Sequence, residues 1–296
     1  MNVNSRGRQL MPRYPVFVMC GRDPKRRRLM DALDPDGKVP VKALLPFLGK
    51  RVIDWQLEAL RRSPYLGEIY LLGLTEKEAA FSFPVKYVPT RLTAGFPEKL
   101  LSGLEFLERS GPPTSFIVIS SSDAPALATT SIDRFLEALQ ELQGYDFVLS
   151  VVPEHLAETF FPGARRVVAR FRDLSVFPGE LYALSPRAIR EGVDIIRELN
   201  ARRRDIDRRG PRISLGPVLR FVAHRPASWS GLMKYLVGRA TIEDGEKAFS
   251  AAFNCKAKAV LIEDVGFGMD MDLPEDYERL EAYLSKIVEG HKGVAG

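Results

Sequence analysis

Asp123 follows the apolar run 116–119 and three consecutive serines, and Pro125 comes two residues after it. Such a run reads as a buried strand, which sets the carboxylate at the strand's C-terminal end. In open α/β sheets, ligands bind in the crevice outside those ends. A second acidic group lies far downstream, in Gly268-Met269-Asp270-Met271-Asp272-Leu273-Pro274. Asp270 and Asp272 are two apart, so in extended chain they point the same way. Carboxylates from two distant strand ends suit one Mg²⁺ ion, which takes one or two of them plus substrate phosphates. Arg22 and Lys42 add cations at the same sheet edge if the first strand is central. Charge developing on phosphate oxygens needs such partners: Arg as a two-pronged donor, Lys as a point charge. The expected chemistry is therefore on nucleotide phosphates. Its metal ligands are Asp123, Asp272 and Asp270, and its catalytic cations are Arg22 and Lys42.

Each of these residues has a plainer reading. Asp123 could cap the following helix, but Thr130, with Asp133 three residues on, fits that task better and leaves Asp123 free. Glu275 and Asp276 fall in the first turn after Pro274, where they complement the helix dipole. Gly21 could belong to an ordinary turn. The loop Gly21-Arg22-Asp23-Pro24 is too short for a dinucleotide fingerprint, and no GxxxxGK[ST] loop exists anywhere in the chain.

The elements that must position these residues follow from hydrophobic period. Strands are expected over 15–19, 68–73, 85–88, 114–120, 146–152 and 256–263. Helical spacing marks 52–62, 96–107, 132–142 and 274–288. Strands alternating with helices predict an α/β, three-layer sandwich with a mostly parallel central sheet. The middle is less regular. Strands are expected at 166–171 and 180–184, then helices over 187–204, 215–221 and 232–237, and one opened by Thr241 with Asp244. No linker or repeat divides the chain. The expected organisation is a tail over 1–13 and a single domain over 14–290, with a helical insert at about 187–240.

Bulk composition narrows the class. Hydrophobic residues are 45% and charged residues 27% of the 296, as in ordinary globular chains. No apolar run approaches the roughly 18 residues of a membrane span. Cys20 and Cys255 are the only cysteines, which fits a reducing, cytoplasmic setting without a disulfide framework. Neither has a metal-site partner nearby in sequence. The net charge is +5, with basic clusters at 25–28 and 202–204. Neither cluster interleaves aromatics, so nucleic acid is not expected as a partner. Trp229, Leu232 and Tyr235 are candidates for a homo-oligomer contact.

Four stretches, in their order and spacing, resemble the MobA-like nucleotidyltransferase family. They are Val16-Phe-Val-Met-Cys-Gly-Arg22, Lys42-Ala-Leu-Leu-Pro-Phe-Leu-Gly-Lys-Arg-Val-Ile-Asp54, Ile119-Ser-Ser-Ser-Asp-Ala-Pro-Ala-Leu127 and Met269-Asp-Met-Asp-Leu-Pro-Glu-Asp276. The likeness runs from Val16 to about Leu284. It implies a GT-A-type fold and transfer of a nucleoside monophosphate from an NTP to a phosphate- or hydroxyl-bearing acceptor, releasing pyrophosphate. It further implies nucleotide contacts from Cys20, Gly21 and Arg22, phosphate contacts from Lys42, and a base-contacting loop at Gly95. Asp123 would hold Mg²⁺ with Asp272, and Asp270 is the close alternative. The acceptor would face Gly179 to Tyr182. The first loop departs from the family's glycine-rich run, and Arg22 and Lys42 stand twenty positions apart. Two other readings stay open on the sequence: a glycosyltransferase using a nucleotide-sugar, and a non-catalytic nucleotide-binding protein. The first lacks a second Asp after Asp123.

Overall fold

The computed structural model describes residues 12–22, 28–164, 166–193, 197, 223 and 225–294. The expected helix over 215–221, the basic cluster 202–204 and much of the helical insert lie outside them. At the centre is β1 (Tyr14–Met19), which is almost wholly buried. It pairs in parallel with β4 (Leu66–Leu72) on one side and β6 (Ile117–Ser120) on the other. β5 (Lys86–Val88) extends the β4 edge in parallel.

Beyond β6 the direction changes. β9 (Ser175–Leu184) runs antiparallel to both β6 and β7 (Phe147–Pro153), and β10 (Ala257–Leu261) pairs in parallel with β7. The short β8 (Ala169–Arg170) pairs with β9. The sheet is thus mixed but mostly parallel, in the order β10-β7-β9-β6-β1-β4-β5. A separate two-stranded ribbon joins β2 (Pro46–Phe47) to β3 (Lys50–Arg51).

Alternating side chains send the two faces of the sheet into two cores. Val16, Val18 and Val118 meet Ile53, Leu57 and Leu60 of α2 (Val52–Arg62) and Ile132, Phe135 and Leu139 of α4 (Thr129–Glu141). Leu280 and Leu284 of α8 (Pro274–Val294) close the same layer. Phe17, Tyr70, Leu72, Ile117 and Ile119 face Leu100, Leu104 and Leu107 of α3 (Phe96–Ser110) on the other side. Each such leucine contributes about 1.5–3 kcal/mol by burial. Gly103 lets α3 lie close to the sheet: a Cβ there would come within 2.6 Å of Phe17 and 2.7 Å of Leu72.

Several expectations change. Thr130 does not cap α4, because the helix starts one turn earlier with Ala128 at its N-cap and no side-chain cap. Thr129 instead donates to the carbonyl of Ala59. β9 starts five residues before the expected strand, since pairing with β7 supports a segment whose own pattern is weak. The helices α1 (Arg28–Leu33) and α5 (Glu154–Phe160) were not anticipated, being too short for a clear period. A helical stretch over 186–193 begins where expected. The capping box of Thr241 and Asp244 does form, opening α7 (Ile242–Phe253). Before it, α6 (Trp229–Leu236) leaves Trp229 55% exposed, while Tyr235 packs against Phe171. Among the described residues, no helix is long and apolar enough to cross a membrane.

Candidate active site

Because β1, β4 and β6 are parallel, the loops after all three emerge along one edge of the sheet. The loop after β6 carries Asp123. A buried glutamine fixes its backbone: Gln56 of α2 donates to the Ser120 hydroxyl and the Ser121 carbonyl, and accepts from the Ala124 N–H at 3.1 Å. The segment after the 3₁₀ turn Val265–Gly268 is laced to the same loop, where the Met271 N–H donates to the Asp123 carbonyl at 3.0 Å. Gly266 permits this approach, since a Cβ there would meet the Ala126 carbonyl oxygen at 2.5 Å. Met269 and Met271 point into the core, so Asp270 and Asp272, alternating with them, point out to Asp123.

Asp123, Asp270 and Asp272 converge, each offering an oxygen within 4.8 Å of the others. The Lys42 ammonium lies between two of them, paired with Asp123 and, at 2.5 Å, with Asp272. Burial pushes the Lys42 pKa down, but the three carboxylates outweigh it and the net shift is upward. Asp270 is raised, first by burial and then by Asp272. Arg166 pairs with the Asp270 carboxylate and also donates to its carbonyl at 3.2 Å. The Arg166 Nε is buried without an acceptor among the described residues. Hard carboxylate oxygens in such a group fit a divalent cation of the Mg²⁺ type.

One further carboxylate faces this group. Glu180 sits at a register shift in β9, opposite residues 149–151 of β7. Bulges of this kind re-aim side chains. Burial, then Asp270 and Asp123, raise the Glu180 pKa well above the ordinary carboxylate value. Its neighbours serve the frame. A Cβ on Gly179 would strike the Ser150 hydroxyl and Phe267, and Tyr182 packs against Phe147.

The other expected residues gather at a second, adjoining place. Arg22 donates to the Gly73 carbonyl at 3.2 Å and pairs with Glu78, rather than joining Lys42. It lines a cavity of about 550 Å³ between the ends of β1, β4 and β5 and helix α3. Gly95 is the N-cap of α3, four residues before the lining residue Lys99. The Cys20 thiol is fully buried, and burial pushes its pKa up to about 12; its carbonyl accepts from Lys99 at 2.7 Å. Lys99, which lines the cavity, thus bonds the residue that follows β1.

Gln56, Lys99 and Glu180 were not singled out in the sequence. The signal was there for two of them. Gln56 interrupts the apolar stripe 52, 53, 57, 60 of α2, and Lys99 stands one turn before Gly103 and two before Leu107 on the sheet-facing side of α3. Glu180 meets Asp270 and Asp123 only through the fold, and no local pattern reveals that.

The chain matches none of the curated proteins in sequence. Among solved structures it resembles a hypothetical transferase from Thermus thermophilus, at 23% identity and a TM-score of 0.66, covering 90% of this chain and all of that one. A CMP:2-keto-3-deoxy-manno-octonic acid synthetase complexed with CTP aligns at 13% identity and a TM-score of 0.56, covering 92% and 99%. A nucleotidyl transferase from Methanothermobacter thermautotrophicus aligns at 16% identity and 0.50, covering 93% and 98%. These likenesses establish the GT-A-like fold. The model of the MobA-like NTP transferase domain matches residues 36–204, more than half of the chain and inclusive of Lys42 and Asp123. With that match and this fold, the chain belongs to the MobA-like NTP transferase family and is a nucleotidyltransferase.

Proposed function

We propose that the protein moves a nucleoside monophosphate from an NTP to a small acceptor in a Mg²⁺-dependent reaction that releases pyrophosphate. The observation that carries this reading is the convergence of Lys42 with Asp123, Asp270 and Asp272 beside a nucleoside-sized cavity. The base and ribose would enter the cavity next to Arg22 and Gly95, and the phosphates would run past the end of β1 to Lys42. A Mg²⁺ ion held by Asp123 and Asp272, with Asp270 alongside, would supply charge neutralisation on phosphate oxygens. Asp270 is held by Arg166, which fixes its orientation and offsets its charge. Lys42 would turn its ammonium from the carboxylates to the phosphates, and Arg22 would carry a second positive charge at the cavity wall.

The acceptor oxygen would attack the α-phosphorus in line with the departing pyrophosphate. The protein's share is positioning and electrostatics, with no covalent intermediate. The acceptor would approach from β9, near Gly179 and Tyr182, where Glu180 could accept a proton or hydrogen bond from an acceptor hydroxyl. The aligned synthetase that binds CTP supports an NTP of some kind here and a sugar-like acceptor. Two unpaired cysteines support a reducing, cytoplasmic setting.

The test is pyrophosphate release from the four NTPs with Mg²⁺ and a panel of sugar acids, sugar phosphates and polyol phosphates. Asp123→Ala should lower turnover on the order of 10³-fold while its circular dichroism stays that of wild type. A folded, fully active Asp123→Ala would sink the assignment.

A further inference from the structure

Lys99 is an unusual residue for its place. It lies in the first turns of α3 on the face turned to the sheet, in line with Gly103 and Leu107, and is only 5% exposed. Burying an ammonium is costly unless an anion or a full set of acceptors repays it. Among the described residues, Lys99 has no carboxylate partner. Of its three N–H donors, one goes to the Cys20 carbonyl at 2.7 Å, its one hydrogen bond from the ammonium among the described residues. Burial pushes the Lys99 pKa down, and the neighbouring cation Arg22 adds to that. Arg22 is already committed to Glu78 and the Gly73 carbonyl.

What Lys99 does reach is the cavity, whose lining it forms together with Arg22. The other walls mix apolar Leu74, Tyr87, Val88, Pro89 and Leu92 with polar Thr75, Glu76, Thr90 and Arg91. Gly73 makes the approach possible. Its φ is +99°, and a Cβ there would lie 2.5 Å from the Lys99 nitrogen. The result is a slot with apolar surface on Leu74, Tyr87, Val88, Pro89 and Leu92 and a buried donor with one hydrogen bond among the described residues. That suits a flat heterocycle presenting an oxygen acceptor at its edge.

We propose that Lys99 is a specificity-determining residue of the nucleotide cavity, donating to a keto oxygen of the base and so selecting cytosine, uracil or guanine over adenine. This rests on the nucleotidyltransferase reading and deepens it. Adenine carries no carbonyl oxygen and accepts only at ring nitrogens; where the other bases place a keto oxygen it presents an amino donor or a C–H, so at that position it would leave the buried ammonium without an acceptor. A site built to hydrogen-bond a substrate group rejects the analogue lacking it, because its own buried group is then left unpaired. A bond to a charged donor of this kind corresponds to roughly 10- to 100-fold in affinity.

The experiment measures binding of CTP, UTP, GTP and ATP, each with Mg²⁺, by calorimetry on wild type, Lys99→Met and Lys99→Gln. Thermal melts of all three confirm folding, and Lys99→Gln, which keeps an amide donor for Cys20, serves if Lys99→Met does not fold. In wild type, at least one keto-bearing nucleotide should bind roughly 10- to 100-fold more tightly than ATP. In the variants that preference should collapse to within about threefold, chiefly by loss of the preferred nucleotide. Tightest binding of ATP by wild type would overturn the inference alone. So would variants that lose all four nucleotides equally, which is the behaviour of a lysine that only props the loop or meets phosphate. Binding of none of the four by wild type would overturn the nucleotidyltransferase reading, and this inference with it.

Discussion

At the scale of single residues, the site is a balance of charge held by one ammonium. Lys42 sits against Asp123 and Asp272, and its pKa is raised because the nearby carboxylates outweigh its burial. Removing that charge leaves three carboxylates within 4.8 Å of one another without the ammonium that Asp123 and Asp272 share. Lys42→Met should therefore lower the melting temperature without metal, and millimolar Mg²⁺ should restore more of it than Mg²⁺ adds to wild type. Turnover should fall by about 10²-fold or more even with metal, because the phosphates lose a cation. Melting curves with and without Mg²⁺ decide the first part, and pyrophosphate release the second. An Mg²⁺ response no larger than that of wild type would show that the ion and the ammonium do not share these carboxylates. Asp123 was legible from its place after an apolar run, Asp270 and Asp272 from their alternating spacing, and Lys42 from its charge; their convergence came only from the fold. Lys99 and Glu180 were not singled out, since a charged residue in an apolar stripe has no partner until the neighbouring elements are known.

At the scale of elements, the antiparallel strand β9 joins the two parallel groups, and Asp146 secures that join. Its carboxylate accepts from the Ser185 hydroxyl and Arg187 Nε, both at 3.2 Å, and from the Lys256 N–H at 2.8 Å. One side chain thus binds the entries of β7 and β10 to the end of β9. Burial would raise its pKa, but these bonds outweigh burial and hold it below the ordinary value. A carboxyl whose folded pKa is depressed contributes stability above its unfolded pKa, about 3.9, and loses it as pH falls through the folded value. Asp146→Asn should cost about 1–3 kcal/mol at pH 7. The gap in melting temperature between variant and wild type should narrow steadily from about pH 5 toward pH 2. A gap that is the same at pH 7 and pH 2.5 would mean that ionisation of Asp146 plays no part. Nothing in the local sequence marks Asp146 as such a tie, because its partners lie 39 to 110 residues away.

At the scale of the whole molecule, the sheet brings residues 22, 42, 73, 99, 123 and 272 to one rim, so a nucleotide spanning cavity and carboxylates would bridge loops from most of the chain. A ligand that binds only the folded state stabilises it by mass action, roughly 2.7 kcal/mol at one hundred times Kd. For a chain of this length that is a rise of about 5 °C. The preferred NTP with Mg²⁺ should give that rise, and EDTA should remove most of it. A shift unchanged by EDTA would count against a metal-assisted site. The sequence by itself determined the α/β class, the parallel core about β1, and the carboxylates and cations at strand ends. Those features follow from hydrophobic period and from residue type, which are local properties. Tertiary structure alone decided that Arg22 lines the cavity with Lys99 instead of meeting Lys42, that Ala128 rather than Thr130 is the N-cap of α4, and that Glu180 is buried near Asp270 and Asp123. Each of these depends on contacts between distant segments, and no local pattern encodes the free energy of a contact whose partner is elsewhere in the chain.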